Sequence, residues 1–139
     1  YHYYKEKEFT FDDIRQLNRN SLLWQDDSVD GIKTGHTNDS GYCLAGSAIR
    51  GETRFVSIVL NSSSEKTRIR DTRRLLDYAF RFYQTKTIVK AYEPLTTIDV
   101  WAGIDEKVSL GLGSDLKITL QIMYQVTTML FQEIYTLKP

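Results

Sequence analysis

Little in this chain speaks for metal, disulfide, nucleic-acid or membrane chemistry. It has one cysteine, Cys43, so no disulfide forms within it. The apolar neighbours of Cys43 point to a buried structural thiol rather than a reactive one. Histidine, cysteine and acidic residues never cluster at metal-ligand spacing, and no organic cofactor is indicated either. The 18 basic and 18 acidic residues cancel, which removes electrostatic support for a general nucleic-acid or membrane-surface role. No apolar run approaches the length of a membrane-spanning helix. No stretch has the form of a signal peptide, and the chain starts at Tyr1 rather than Met, so it reads as an internal piece of a longer protein. Internal repeats and low-complexity tracts are likewise missing. What remains is ordinary for a globular protein: 139 residues, 41% hydrophobic and 26% charged. That is enough for one medium domain or one and a half small ones.

Residues 1–8 are tyrosine-rich and charged, with little periodicity, and His2 sits near a ragged start. Thr10-Phe-Asp-Asp13 suits either a capped helical turn or a short extended segment. Gln25–Ser28 reads as a turn, Thr37–Ser40 as a second, and Arg50–Thr53 as the close of a hairpin. Between them lie three apolar stretches, 29–37, 41–48 and 54–60, expected as sequential antiparallel strands. Ser62 and Glu65 have capping-box spacing ahead of a helix running to about Tyr83. Ile69, Thr72, Leu76, Ala79, Phe80 and Tyr83 share one face of that helix; Arg68, Arg70, Arg73, Arg74, Asp71 and Asp77 are expected mostly elsewhere, in solvent. Trp24 is expected in the core. Asn18 and Asn20 are expected to stabilise a loop. After a linker the pattern changes to short strands at 95–101, 107–110 and from 116 onward. There Leu116, Ile118, Leu120, Ile122, Tyr124 and Val126 alternate as in a half-buried strand. Two or three strands do not close a sandwich, so this second unit is expected to be incomplete.

The most informative stretch is Val-Asp-Gly-Ile-Lys-Thr-Gly-His-Thr at 29–37. A Lys-Thr-Gly at the end of a short apolar strand is one of three signatures of active-site-serine penicillin-binding enzymes and β-lactamases. With Lys5–Thr10, Asn18–Trp24 and Leu75–Tyr83, it makes the chain resemble the D-alanyl-D-alanine carboxypeptidases, the low-molecular-mass penicillin-binding proteins, over about residues 3–112. The resemblance implies an α+β chain. Residues 1–86 would be the C-terminal portion of a β-lactamase/transpeptidase-like catalytic domain, an antiparallel sheet with a packed C-terminal helix. Residues 87–94 would be a linker, and 95–139 the start of a partial all-β domain.

The resemblance also implies roles. Substrate would add to the motif strand as a further β-strand. Lys33 and Thr34 would meet the terminal carboxylate of a D-Ala-D-Ala peptide, and Gly35 would let its backbone approach. The backbone N–H of His36 would be the second oxyanion-hole donor. Arg19 and Arg68 match arginines near the carboxylate end of the site, where a guanidinium offers paired donors; the alternative for both is a surface salt bridge. Partners would be peptidoglycan pentapeptides, β-lactam antibiotics, and either the missing N-terminal half or another copy of the chain. The parent would lie outside the cytoplasmic membrane, held by a C-terminal segment beyond Pro139.

Two signatures are not where the resemblance requires them. Ser-x-x-Lys, the nucleophile with its base one turn on, occurs as Ser63–Lys66 and Ser114–Lys117, both after the motif strand instead of before it. Ser-x-Asn is absent. The chain alone is therefore expected to be inactive, with its nucleophile elsewhere. A serine β-lactamase relative and a non-catalytic cell-wall interaction module are the rival readings. The apolar stretch Gln121–Tyr135 also lacks the Pro/Gly turn that the family pattern has soon after Ile118–Leu120.

Overall fold

The structure, a computed structural model, describes residues 1–122. The chain divides into two compact units, Tyr1–Tyr83 and Gln84–Pro139. The first opens with a 3-10 turn over His2–Lys5 and a small hairpin of β1 (Glu8–Phe11) and β2 (Ile14–Leu17). Thr10–Asp13 is thus a strand end and a turn, not a helical turn. A second 3-10 turn, Ser21–Trp24, leads into β3 (Val29–Thr37), β4 (Gly41–Arg50) and β5 (Thr53–Ser62), a sequential antiparallel sheet in the order β3-β4-β5. The helix α1 (Glu65–Phe82) packs on one face of it.

Why α1 sits there follows from side-chain size. Ile69 and Leu76 join Leu22, Leu23, Val29, Leu44 and Ala48 in one core, with Phe55 and Phe80 stacked edge to face at 4.9 Å beside it. At Gly46 a Cβ would fall 2.6 Å from the Thr72 methyl, so the helix reaches the sheet only over a residue with no side chain. Three details depart from the sequence reading. The helix is capped by Ser64, whose Oγ accepts from the Thr67 N–H at 3.1 Å, because Ser62 still belongs to β5. Trp24 is 45% exposed, since the 3-10 turn spends its inward positions on Leu22 and Leu23. Cys43 is half-buried rather than buried, because its cross-strand partner is Gly35, which offers nothing to cover it.

In the second unit β6 (Tyr83–Val89) pairs with β9 (Leu116–Gln121), and β7 (Pro94–Asp99) pairs antiparallel with β8 (Lys107–Gly111). The stretch expected as a linker, 87–94, is therefore strand up to Val89. No residue of β7 or β8 is buried. Leu116 and Ile118 are exposed rather than half-buried, as no second layer covers them among the described residues. Tyr124, Val126 and nearly all of Gln121–Tyr135 lie outside the described residues. No described helix is long and apolar enough to cross a membrane.

Candidate active site

β3 is an edge strand: β4 occupies one side and no described strand the other. Its register sets Lys33 opposite Ala45, Thr34 opposite Leu44, Gly35 opposite Cys43 and His36 opposite Tyr42. The strand's entry is fixed by polar contacts. Asn20, 1% exposed, donates its amide to the Gly31 carbonyl at 3.2 Å and accepts from the Leu22 N–H. Asn18 donates to the Tyr4 and Glu6 carbonyls, so both asparagines do serve the loop. Asp26 accepts from the Ser28 N–H, the Ser28 hydroxyl and Arg50. Burial alone would raise the Asp26 carboxyl, but these hydrogen bonds outweigh it and hold the group below its ordinary value.

Lys33, Thr34, Gly35 and His36 line a cavity of about 310 Å³ together with Arg19, Glu65 and Arg68. All six residues singled out from the sequence as site residues thus meet at one place. Lys33 folds its ammonium onto the Thr34 carbonyl at 2.7 Å. Arg19 is exposed and has no acidic partner among the described residues. A Cβ at Gly35 would meet only the Cys43 Cβ, at 3.8 Å, so neither packing nor backbone conformation requires glycine there. The His36 ring lies 4.1 Å from that of Tyr42, tilted by 35°.

Arg68 departs most from expectation. It is 2% exposed, not in solvent. Its guanidinium donates to the Gly35 carbonyl at 3.3 Å and to Glu65 at 3.1 Å, and lies over the Tyr42 ring at 5.6 Å. Its Nε has no partner among the described residues. Burying a cation is costly unless it is paired, and Glu65 and Gly35 are what hold it. Glu65 was missed in the sequence; its place three residues before Arg68 in the first helical turn was the available signal. Tyr42 was missed too, and only the strand register identifies it.

Neither serine of the two late Ser-x-x-Lys strings lines the cavity on β3. Ser63 precedes α1, with its hydroxyl 3.4 Å from that of Thr67. Ser114 lies in the turn between β8 and β9. Among the described residues no cluster of ligating side chains is arranged to hold a metal ion.

Residues 1–64 match the family model of the D-alanyl-D-alanine carboxypeptidases. The chain is 45% identical over 121 residues to the D-alanyl-D-alanine carboxypeptidase DacA of Escherichia coli, an alignment covering 86% of the chain and 30% of that protein. It superposes on penicillin-binding protein 5 of Haemophilus influenzae with a TM-score of 0.78 and 36% identity, covering 90% of the chain and 37% of the other. Penicillin-binding protein D2 of Listeria monocytogenes, solved in its cefotaxime-bound form, matches at 36% identity and a TM-score of 0.51, over 55% of the chain and 31% of the other. The chain thus spans about 30% of the length of the curated relatives it matches. The fold, the motif strand and these alignments agree: the chain belongs to the D-alanyl-D-alanine carboxypeptidase family.

Proposed function

We propose that this chain supplies the substrate-binding strand of a serine-type D-Ala-D-Ala carboxypeptidase. Such an enzyme trims the terminal D-Ala from peptidoglycan stem peptides and is acylated by β-lactams. The observation that carries this reading is the free edge of β3 with Lys33, Thr34, Gly35 and His36 on it, flanked by two arginines. An extended peptide adds to such an edge through main-chain hydrogen bonds. Gly35 is a glycine the fold itself does not need, which fits a backbone approaching from outside.

The roles then follow from chemistry. Lys33, the Thr34 hydroxyl and the guanidinium groups of Arg19 and Arg68 take the peptide's terminal carboxylate. The N–H of His36 stabilises the oxyanion; losing one such donor costs about 10²–10³ in rate. A serine outside these residues attacks the carbonyl between the last two residues, the terminal D-Ala leaves as its amine, and water releases the acyl-enzyme. The parent works outside the cytoplasmic membrane, where stem peptides are, anchored through a segment C-terminal to this chain. The chain alone is inactive and pairs with the N-terminal half or with a second copy of itself.

The test is intact mass after incubation with penicillin, for the chain alone and for the chain mixed with the N-terminal part. The expected result is acylation in the mixture, on a serine of the added part. Acylation of the chain alone would mean that Ser63, Ser114 or another local serine is activated, and would overturn these assignments.

A further inference from the structure

A second, larger cavity of about 530 Å³ is lined by Arg19, Gln25, Glu65, Lys66, Arg70 and Arg73 over Ile69. It shares Arg19 and Glu65 with the cavity on β3. Its charge is unbalanced. Arg70 is paired with Asp71 at 2.9 Å, and Glu65 with Arg68. Arg73 is held at 2.6 Å by Gln25, whose amide oxygen is neutral. Among the described residues no carboxylate pairs with Arg73, Lys66 or Arg19. Three cations without a carboxylate partner among the described residues thus line one partly apolar cavity that adjoins the site on β3 at Arg19 and Glu65.

We propose that this cavity is a subsite for a side-chain carboxylate on the ligand's C-terminal residue. This rests on the carboxypeptidase reading. There the scissile carbonyl lies at His36 and the terminal carboxylate at Thr34, Arg19 and Arg68, so the cavity that shares Arg19 with that site is on the leaving-residue side. D-alanine offers it only a methyl group. A terminal D-residue bearing a second carboxylate brings Lys66 and Arg73 the charge they lack. Exposed ion pairs are individually weak, so two of them yield about a fivefold gain in affinity, and added salt screens it.

The experiment is an amide-resolved NMR titration of the chain with N-acetyl-D-Ala-D-Ala and N-acetyl-D-Ala-D-Glu, repeated on Lys66→Gln and Arg73→Gln. Both peptides are expected to shift the amides of Lys33–His36, with the glutamate peptide about fivefold tighter and also shifting Lys66 and Arg73. Each substitution, and high salt, shrinks that margin while binding of the alanine peptide holds. Equal affinities for the two peptides would overturn the subsite and leave the carboxypeptidase reading standing. Inorganic phosphate shifting Lys66 and Arg73 without any preference between the peptides would reduce the cavity to an unspecific anion site and overturn it too. If neither peptide shifts Lys33–His36, the chain holds no peptide site of its own and the subsite is overturned, while the acylation of the chain mixed with the N-terminal part decides the carboxypeptidase reading.

Discussion

Gly35 and Gly46 stand on neighbouring strands of one sheet for opposite reasons. At Gly46 an added methyl would collide with the Thr72 methyl at 2.6 Å; at Gly35 it would meet one atom in ordinary contact. Overpacking a close helix–sheet approach costs about 1–3 kcal/mol. Gly46→Ala is therefore expected to lower the unfolding free energy by that amount in a urea melt, while Gly35→Ala leaves the melt unchanged. On the carboxypeptidase reading Gly35→Ala instead weakens D-Ala-D-Ala peptide binding, because its Cβ stands where the peptide backbone approaches. If Gly35→Ala unfolds the protein as readily as Gly46→Ala, its glycine is structural after all. Asp26 makes a second residue-scale case. Its carboxyl is held below the ordinary value of 3.8 by Ser28 and Arg50. A depressed carboxylate stabilises the fold above its unfolded pKa, and that contribution is lost as pH falls through the folded value. Asp26→Asn should thus be less stable than the parent chain at neutral pH, with the gap closing below about pH 4. A gap constant with pH would show that the Asp26 charge contributes nothing.

At the scale of elements, the strands and the helix were legible in the sequence because hydrophobic period and turn residues agreed with each other. The antiparallel run β3-β4-β5 and the face Ile69, Thr72 and Leu76 needed nothing else. What was not legible depended on contacts between elements. Arg68 looked like a solvent-facing cation on a helix rich in them; its burial comes from Gly35 and Tyr42, residues far away in sequence. The cap was misplaced by two residues because Ser62, Ser63 and Ser64 all suit the role by type, and only the length of β5 decides among them. Thr87 and its neighbours looked like a linker because β6 finds its partner in β9, far along the chain. The clustering of the candidate site residues was legible because four of the six adjoin in one strand. Glu65, which completes the Arg68 pair, was not. Ser64→Ala is expected to cost about 1 kcal/mol through the lost cap, measurable as a drop in the urea midpoint. Ser63→Ala should cost less, since its hydroxyl caps no backbone group; equal losses would put the cap elsewhere.

At the scale of the whole molecule, one sheet surface stands out. Cross-strand pairing puts Phe55, Ser57 and Val59 on the side of α1, so the residues between them face the other way. Those are Val56, Ile58 and Leu60, exposed by 55%, 65% and 69%. They lie on β5, the other edge of the same sheet, whose outer side no described strand pairs. A row of β-branched and aliphatic side chains beside an unpaired backbone edge is a template for another strand and another apolar surface. The opposite edge, β3, is guarded differently: Lys33, Arg19 and the rim of arginines keep it polar. Association is therefore expected through β5 and not through the motif strand. Ile58→Lys introduces charge at an exposed position and touches none of the core residues, so it should keep the fold while breaking the contact. Sedimentation velocity across a concentration series is the measurement. The parent chain should sediment as a concentration-dependent mixture and Ile58→Lys as a monomer with an unchanged circular dichroism spectrum. A parent chain that stays monomeric at the highest concentration would mean that three exposed aliphatic residues and a free edge are too little to hold a partner here.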